Sequence, residues 1–214
     1  MANHYVYWLR CLSCDGGNLD LSRVGARETA RMLVTHEREK LIQAVNYFAR
    51  HTRKFGKIKL YKLLYFLDFE HFKQTGRDDT GLAYFAWPKG PVPVSLHNEI
   101  DDPKADLAEA FKFDKRTVGD GWMLVIEPKV PFSERHFSKR EMTILKNLAE
   151  EYRDTDADSM IEATHLENLP WDQVYNKDGK KQQEIPYDLA LRNDERDQMM
   201  KIIQERKDLL EKLK

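Results

Sequence analysis

The run from Lys57 to Thr75, KIKLYKLLYFLDFEHFKQT, restricts the possible folds of this chain more than any other segment. Apolar or aromatic residues stand at Ile58, Leu60, Tyr61, Leu63, Leu64, Tyr65, Phe66, Leu67, Phe69 and Phe72. A helix on a protein surface carries one apolar stripe, whereas one that is apolar around most of its circumference must be covered on several sides. Gly56 precedes the run, and Gly76 follows it as the expected left-handed residue after the last turn. The segment is therefore read as the spine of the fold, and the remaining elements must wrap it. The expected class is α+β, mostly helical: a helical core around this buried central helix, with a small antiparallel β element.

The flanking sequence supplies the wrapping. A helix is predicted from about His36 to Thr52, with Thr35 as N-cap, Glu37 and Glu39 in its first turn, and Leu41, Val45 and Phe48 on one face. Leu82 to Trp87 reads as a strand. Pro88, Pro91 and Pro93 then forbid helix and interior strand, so this stretch is expected as a fixed, extended turn. Pro93 can open a short helix carrying Leu96 and Ile100. Residues 101–120 are polar and are expected to be loop-rich. Trp122 to Ile126 reads as a second strand, expected to pair with the first. Ser138 and Glu141 have capping-box spacing, flanked by the staple pair Phe137 and Met142. Leu145, Leu148 and Tyr152 continue that helix. Asp158 or Ser159 is expected to cap a short helix reaching Thr164 and His165, before Pro170 and Trp171. The last helix, about Asn193 to Leu213, is a charged rod with a narrow seam through Met199, Ile202, Ile203, Arg206, Leu209, Leu210 and Leu213.

With 214 residues the chain is long for one domain and short for two. The expected division is a poorly ordered arm or mis-called start at 1–31, a domain at 32–192, and a charged C-terminal helix at 193–214. Met32 stands just before the first helical pattern, which makes it an alternative start to Met1. The longest apolar run, Leu63 to Leu67, is far short of the ~20 residues of a membrane helix. Tyr5 to Leu9 is too brief for a secretory h-region and lacks a basic leader, so the expected location is cytoplasmic, with no membrane partner. Cys11 and Cys14 are the only cysteines, which excludes a disulfide scaffold. With His4 they make at most three of the four ligands of a tetrahedral zinc site, so no metal or other cofactor is expected. Net charge is −1, yet residues 36–77 hold ten basic and four acidic residues. A basic patch attracts nucleic acid, but the acidic remainder of the chain would repel phosphate. Lys54, Lys57, Lys59 and Lys62 are therefore read as the solvated face of one helix, and nucleic acid is disfavoured as a partner.

Signatures of catalysis are mostly missing. Neither Gly56-Lys57 nor Gly179-Lys180 has the upstream glycine of a phosphate-binding loop, and no His-Glu-x-x-His or Gly-x-Ser-x-Gly motif is present. Asp68 and His71 lie three apart on the central helix and share a face. With His165 they make the alternative reading, a small metal-dependent hydrolase, although no further residue supplies a nucleophile or completes a ligand set. Trp87 and Trp171 read as core anchors, and His165 as a helix C-terminal residue favoured by the dipole.

Three motifs occur in a telling order. Lys62-Leu-Leu-Tyr65-Phe lies on the buried helix, Ala86-Trp87-Pro-Lys-Gly90-Pro91-Val92 follows about twenty residues later, and Thr164-His165 with Pro170-Trp171 comes near the end. This order resembles the Panacea domain, the family of SocA-like antitoxins also known as phage-associated proteins, over roughly residues 36–190. The resemblance implies a largely helical, non-enzymatic antitoxin that binds a cognate toxin encoded by an adjacent gene. It acts either by direct sequestration or as an adapter to an ATP-dependent protease. The residues carried over as partner-binding or family-motif positions are Lys62, Tyr65, Trp87, Gly90, Pro91, Val92, His165, Pro170 and Trp171, with no catalytic residue among them. The first 31 residues and the C-terminal rod depart from the family pattern.

Overall fold

The computed structural model describes residues 36–118, 121–166 and 169–212. Expectations placed on the N-terminal arm, on His4, Cys11 and Cys14, and on Thr35 as a cap lie outside the described residues. Helix α1 spans Glu37–His51 and leads into α2, Lys57–Thr75. A hairpin of β1, Tyr84–Trp87, and β2, Gly90–Pro93, runs directly into α3, Val94–Asp101. Helix α4, Ala105–Ala110, feeds a second hairpin of β3, Phe111–Val118, and β4, Gly121–Pro128. Helices α5, Lys139–Glu151, and α6, Ala157–Thr164, follow. A short turn of α7, Pro170–Asp172, continues as a π-turn, Gln173–Lys177. A 3-10 turn, Tyr187–Ala190, precedes the last helix, α8, Asn193–Lys212. The fold is mostly helical α+β, as the sequence predicts, and its β structure forms two small antiparallel two-stranded sheets.

The central-helix expectation holds in detail. Helix α2 packs against α1, α5, α6, β2, β4 and the 3-10 turn, and Leu60, Leu63, Leu64, Leu67 and Phe69 are buried along it. Each such side chain contributes roughly 1.5–3 kcal/mol by leaving water. Gly76 closes the helix at φ 67°, the left-handed conformation that a side chain disfavours. On α5 the capping box is complete, with the Ser138 side chain accepting from Glu141 N and Glu141 accepting from Ser138 N.

Four expectations need correction. The strands at 82–87 and 122–126 do not pair with each other. Instead Tyr84–Trp87 pairs with the proline-rich stretch, in the register Tyr84↔Pro93, Phe85↔Val92, Ala86↔Pro91 and Trp87↔Gly90. Prolines 91 and 93 are tolerated because β2 is an edge strand, where a missing N–H costs no ladder bond. The outer side of β1 is taken by residues 182–185, through Gln182 N to Ala86 O (2.8 Å), Ala86 N to Gln183 O (2.9 Å) and Ile185 N to Tyr84 O (2.7 Å). Second, residues 101–120 are not loop-rich, since α4 and β3 occupy most of them. Phe111 pairs with Pro128 and Phe113 with Ile126, so one face reaches the core while Lys112, Asp114 and Arg116 stay in solvent. Third, the cap of α6 is Asp156, whose carboxylate accepts from Ser159 N at 3.0 Å, in place of Asp158 or Ser159. Fourth, the lysines of residues 54–62 are not one solvated face, because Lys59 and Lys62 are each only 1% exposed.

Candidate functional site

Lys62 is the point where the three sequence motifs meet. Its position on α2 points the amine into the protein, where Nζ donates to the Pro91 carbonyl at 2.8 Å. No carboxylate among the described residues balances it, and burial drives its pKa down to about 7. Gly90 lies directly above the amine at φ +91°, and a Cβ there would stand 2.6 Å from both Lys62 Nζ and Thr164 Oγ1. Glycine is therefore required twice at this position, for the backbone angle and for the space. Pro91 and Val92 are buried against α2, where β2 packs.

The third motif closes the same corner. Trp171 Nε1 donates to the Trp87 carbonyl at 3.0 Å, which ties α7 to the end of β1. The His165 ring stacks on Trp171 at 3.7 Å and 8°, and Trp171 stacks in turn on Tyr175 at 4.6 Å and 14°. Burial lowers the His165 pKa, and the nearby Lys62 amine adds to that. Pro170 at the start of α7 is buried and starts the helix that carries Trp171. Tyr65 sits one turn beyond Lys62, its ring 4.2 Å from Phe69 and 5.5 Å from Tyr84. Thus all nine motif positions gather in one region. Seven of them are buried, leaving only Trp87 and His165 half-buried.

The proposed hydrolase set is not assembled. Asp68 is fully buried and spends both oxygens within the fold. Its Oδ1 accepts from Asp79 N (2.9 Å) and Thr80 N (2.8 Å), and its Oδ2 from Thr80 Oγ1 (2.5 Å) and Tyr84 Oη (2.7 Å). Burial raises its pKa to about 6, against the pull of these donors. His71 faces a different carboxylate, with Nε2 3.5 Å from Glu141 Oε1. His165 belongs to the Trp171 stack. The sequence expectation of a shared Asp68–His71–His165 site is therefore corrected: each member answers to a different neighbour.

A second charged cluster escaped sequence reasoning. His71, Asp79 and Glu141 each bring a possible ligand atom within 4.8 Å of one another. The cation between the carboxylates is Lys40 of α1, with Nζ 2.8 Å from Asp79 Oδ1 and 2.6 Å from Glu141 Oε1. Burial lowers the Lys40 pKa, but the two carboxylates outweigh it and the net shift is upward. For Glu141, burial is outweighed by Lys40 and the Ser138 N–H, and its pKa falls to about 2. No local pattern announces this cluster, because its members come from α1, the turn after α2, and α5.

The fold is a helical α+β module in which three distant segments meet around one buried lysine. The chain belongs to the family of SocA-like antitoxins with the Panacea domain, whose family model matches residues 60–172. That span runs from α2 to α7 and takes in all three motifs. Helix α1 lies outside it, although it packs on α2 and α5. No curated protein and no solved structure matches the chain. Among the described residues, no helix is long and apolar enough to cross a membrane.

Proposed function

We propose that the protein is an antitoxin that binds a toxin encoded by the adjacent gene and neutralises it in the cytoplasm by holding it in a stable complex. The observation that carries this reading is the antitoxin family match over residues 60–172. The burial of the motif residues supports it in a particular way. Lys62, Tyr65, Gly90, Pro91, Val92, Pro170 and Trp171 serve the toxin indirectly, by fixing the surfaces around them. A stable inhibitory interface needs on the order of 1,600 Å² in total, and a scaffold fixed beforehand loses little entropy on binding.

Co-expression with the neighbouring gene tests the reading. Growth is expected to stop when the neighbour is expressed alone and to recover when this protein is present, with the two recovered as one complex. A harmless neighbour, or one that stays toxic beside this protein, overturns the proposal. Toxin half-life in protease-deficient cells separates the two routes: sequestration leaves it unchanged, while delivery to an ATP-dependent protease lengthens it.

A further inference from the structure

A groove of about 1300 Å³ opens between α2, α5, α6 and the segment 189–196. Helices α2 and α5 run antiparallel along it. His71 meets Glu141 near one end, and Phe66 stacks on Tyr152 at the other, at 5.2 Å and 9°. The groove follows α5 from Arg140 to Tyr152, a little over three helical turns, or roughly 18 Å. Phe66 and Tyr152 are half-buried in its floor, and Leu166 on its wall is 60% exposed.

Charge along the groove is uneven. Arg140, in the first turn of α5, and Arg192, on the segment 189–196, both line the groove, are exposed and have no carboxylate partner among the described residues. Neighbouring Lys73 and Arg196 are already paired, with Glu70 and Asp188. The groove thus has an apolar floor along Ile144, Leu148 and Tyr152 of α5, two uncommitted guanidiniums in its lining and the Glu151 carboxylate at the end by Tyr152.

We infer that this groove receives an amphipathic helix of about three turns from the toxin, with its apolar stripe along Ile144, Leu148, Tyr152 and Leu166 and acidic residues at Arg140 and Arg192. Helix-in-groove recognition needs this combination of a trough lined by two helices, apolar anchors spaced by turns, and charges that set direction. Arginine is suited to these acidic residues, because its planar fork can hold a carboxylate with two hydrogen bonds. The inference rests on the antitoxin reading and names the surface through which it acts.

The test uses the full-length protein and the product of the adjacent gene, with affinity measured for wild type, Leu166→Asp and the double variant Arg140→Glu/Arg192→Glu. Both variants change exposed positions, and thermal melting checks that they stay folded. The expected result is at least a tenfold loss of affinity in each. Affinity of the double variant should be partly restored when the toxin's acidic residues are changed to lysine. Wild-type affinity in both folded variants overturns the groove assignment and leaves the antitoxin reading standing. A wild-type protein that does not bind the neighbour's product overturns the antitoxin reading, and the groove assignment falls with it. Two further outcomes also overturn the assignment. A gain in affinity on starting the chain at Met32 would mean that the groove is filled by the protein's own arm. A dimer that dissociates in Leu166→Asp would mean that it is filled by a second copy.

Discussion

The amines buried at the two ends of α2 are held by opposite means. In the N-terminal half, Lys59 and Lys62 are held by neutral carbonyls. Lys59 Nζ donates to Arg53 O (2.8 Å), Arg153 O (3.1 Å) and Thr155 O (2.8 Å), whereas Lys62 has Pro91 O. Desolvation dominates there, and the two pKa values fall to about 8 and about 7. In the C-terminal half, Asp68 is satisfied by four donors, and the Lys40 ammonium is shared by Asp79 and Glu141 beside His71. Here the two carboxylates outweigh burial at Lys40, whose pKa moves up, while burial still drives Asp68 up to about 6 and Asp79 up to about 7. The lesson is that a buried amine is not one kind of feature. Near the motifs it acts as a hydrogen-bonding latch that is close to neutrality, while at the other end it is half of an ion pair that the fold cannot easily lose.

The largest expected effect breaks the ion-paired half. Lys40→Met leaves two buried carboxylates facing each other without a cation, and removing one partner of a buried pair costs about 3–5 kcal/mol. Urea unfolding should show that loss, and a change below about 1 kcal/mol would mean that the cluster is not paired as described. Next comes the latch. Gly90→Ala places a methyl 2.6 Å from the Lys62 amine and from Thr164 Oγ1, in backbone at φ +91°. Strain and overpacking together should cost about 2–4 kcal/mol. Stability equal to wild type would show that β2 does not press on α2 as tightly as these distances require.

Much of this architecture was readable from the residues, and the failures have physical causes. Helix α2 was legible because it carries ten apolar or aromatic side chains in nineteen positions, seven of them buried. The α5 cap was legible because Ser138 and Glu141 interact locally. The pairing of β1 with β2 was not, because proline argues against strands in general and the edge exception depends on what lies alongside. Strand β3, FKFDKRTV, was missed because Phe111 and Phe113 turn toward the core while Lys112 and residues 114–117 are exposed. Lys59 and Lys62 were misread because lysine is normally exposed, and the carbonyls that receive their amines come from segments up to 96 residues away. The motif residues were legible by resemblance, although their convergence on Lys62 was not. The Lys40 cluster had no signal at all, since Lys40 is 39 residues from Asp79 and 101 from Glu141.

A smaller effect sharpens the C-terminal half. Ser138→Ala removes the hydroxyl that caps α5 while leaving the Glu141 carboxylate beside Lys40. A loss of about 1 kcal/mol is expected, the usual cost of a cap. A loss as large as that of Lys40→Met would mean that the cap is what aims Glu141 into the cluster.

The smallest effect at neutral pH, and the sharpest discriminator between the halves, belongs to Lys62→Met. The substitution keeps an unbranched side chain as far as the ε carbon and removes the amine. It leaves Pro91 O without its donor, which costs about 1–3 kcal/mol, but it also removes the penalty of desolvating a charge. These oppose each other, so the net change near pH 7 should stay within about 1 kcal/mol. The pH dependence is where the variant departs from wild type. Lys62 has a folded pKa of about 7, while an unfolded lysine sits near ~10.4. Between these values the unfolded chain binds the proton and the folded chain does not, so wild-type stability must rise with pH. The group contributes up to about 1.4 kcal/mol per pH unit in that window. Lys62→Met lacks this contribution, so the stability difference between the two proteins should grow in favour of wild type from pH 7 to pH 10. Lys40→Met should show no such growth between pH 7 and pH 10, because a raised amine pKa gives a contribution that is fully present below the unfolded value of ~10.4 and is lost only above it. Parallel pH profiles for the two variants would mean that both amines are held as ion pairs, and that the latch under Gly90 carries full charge after all.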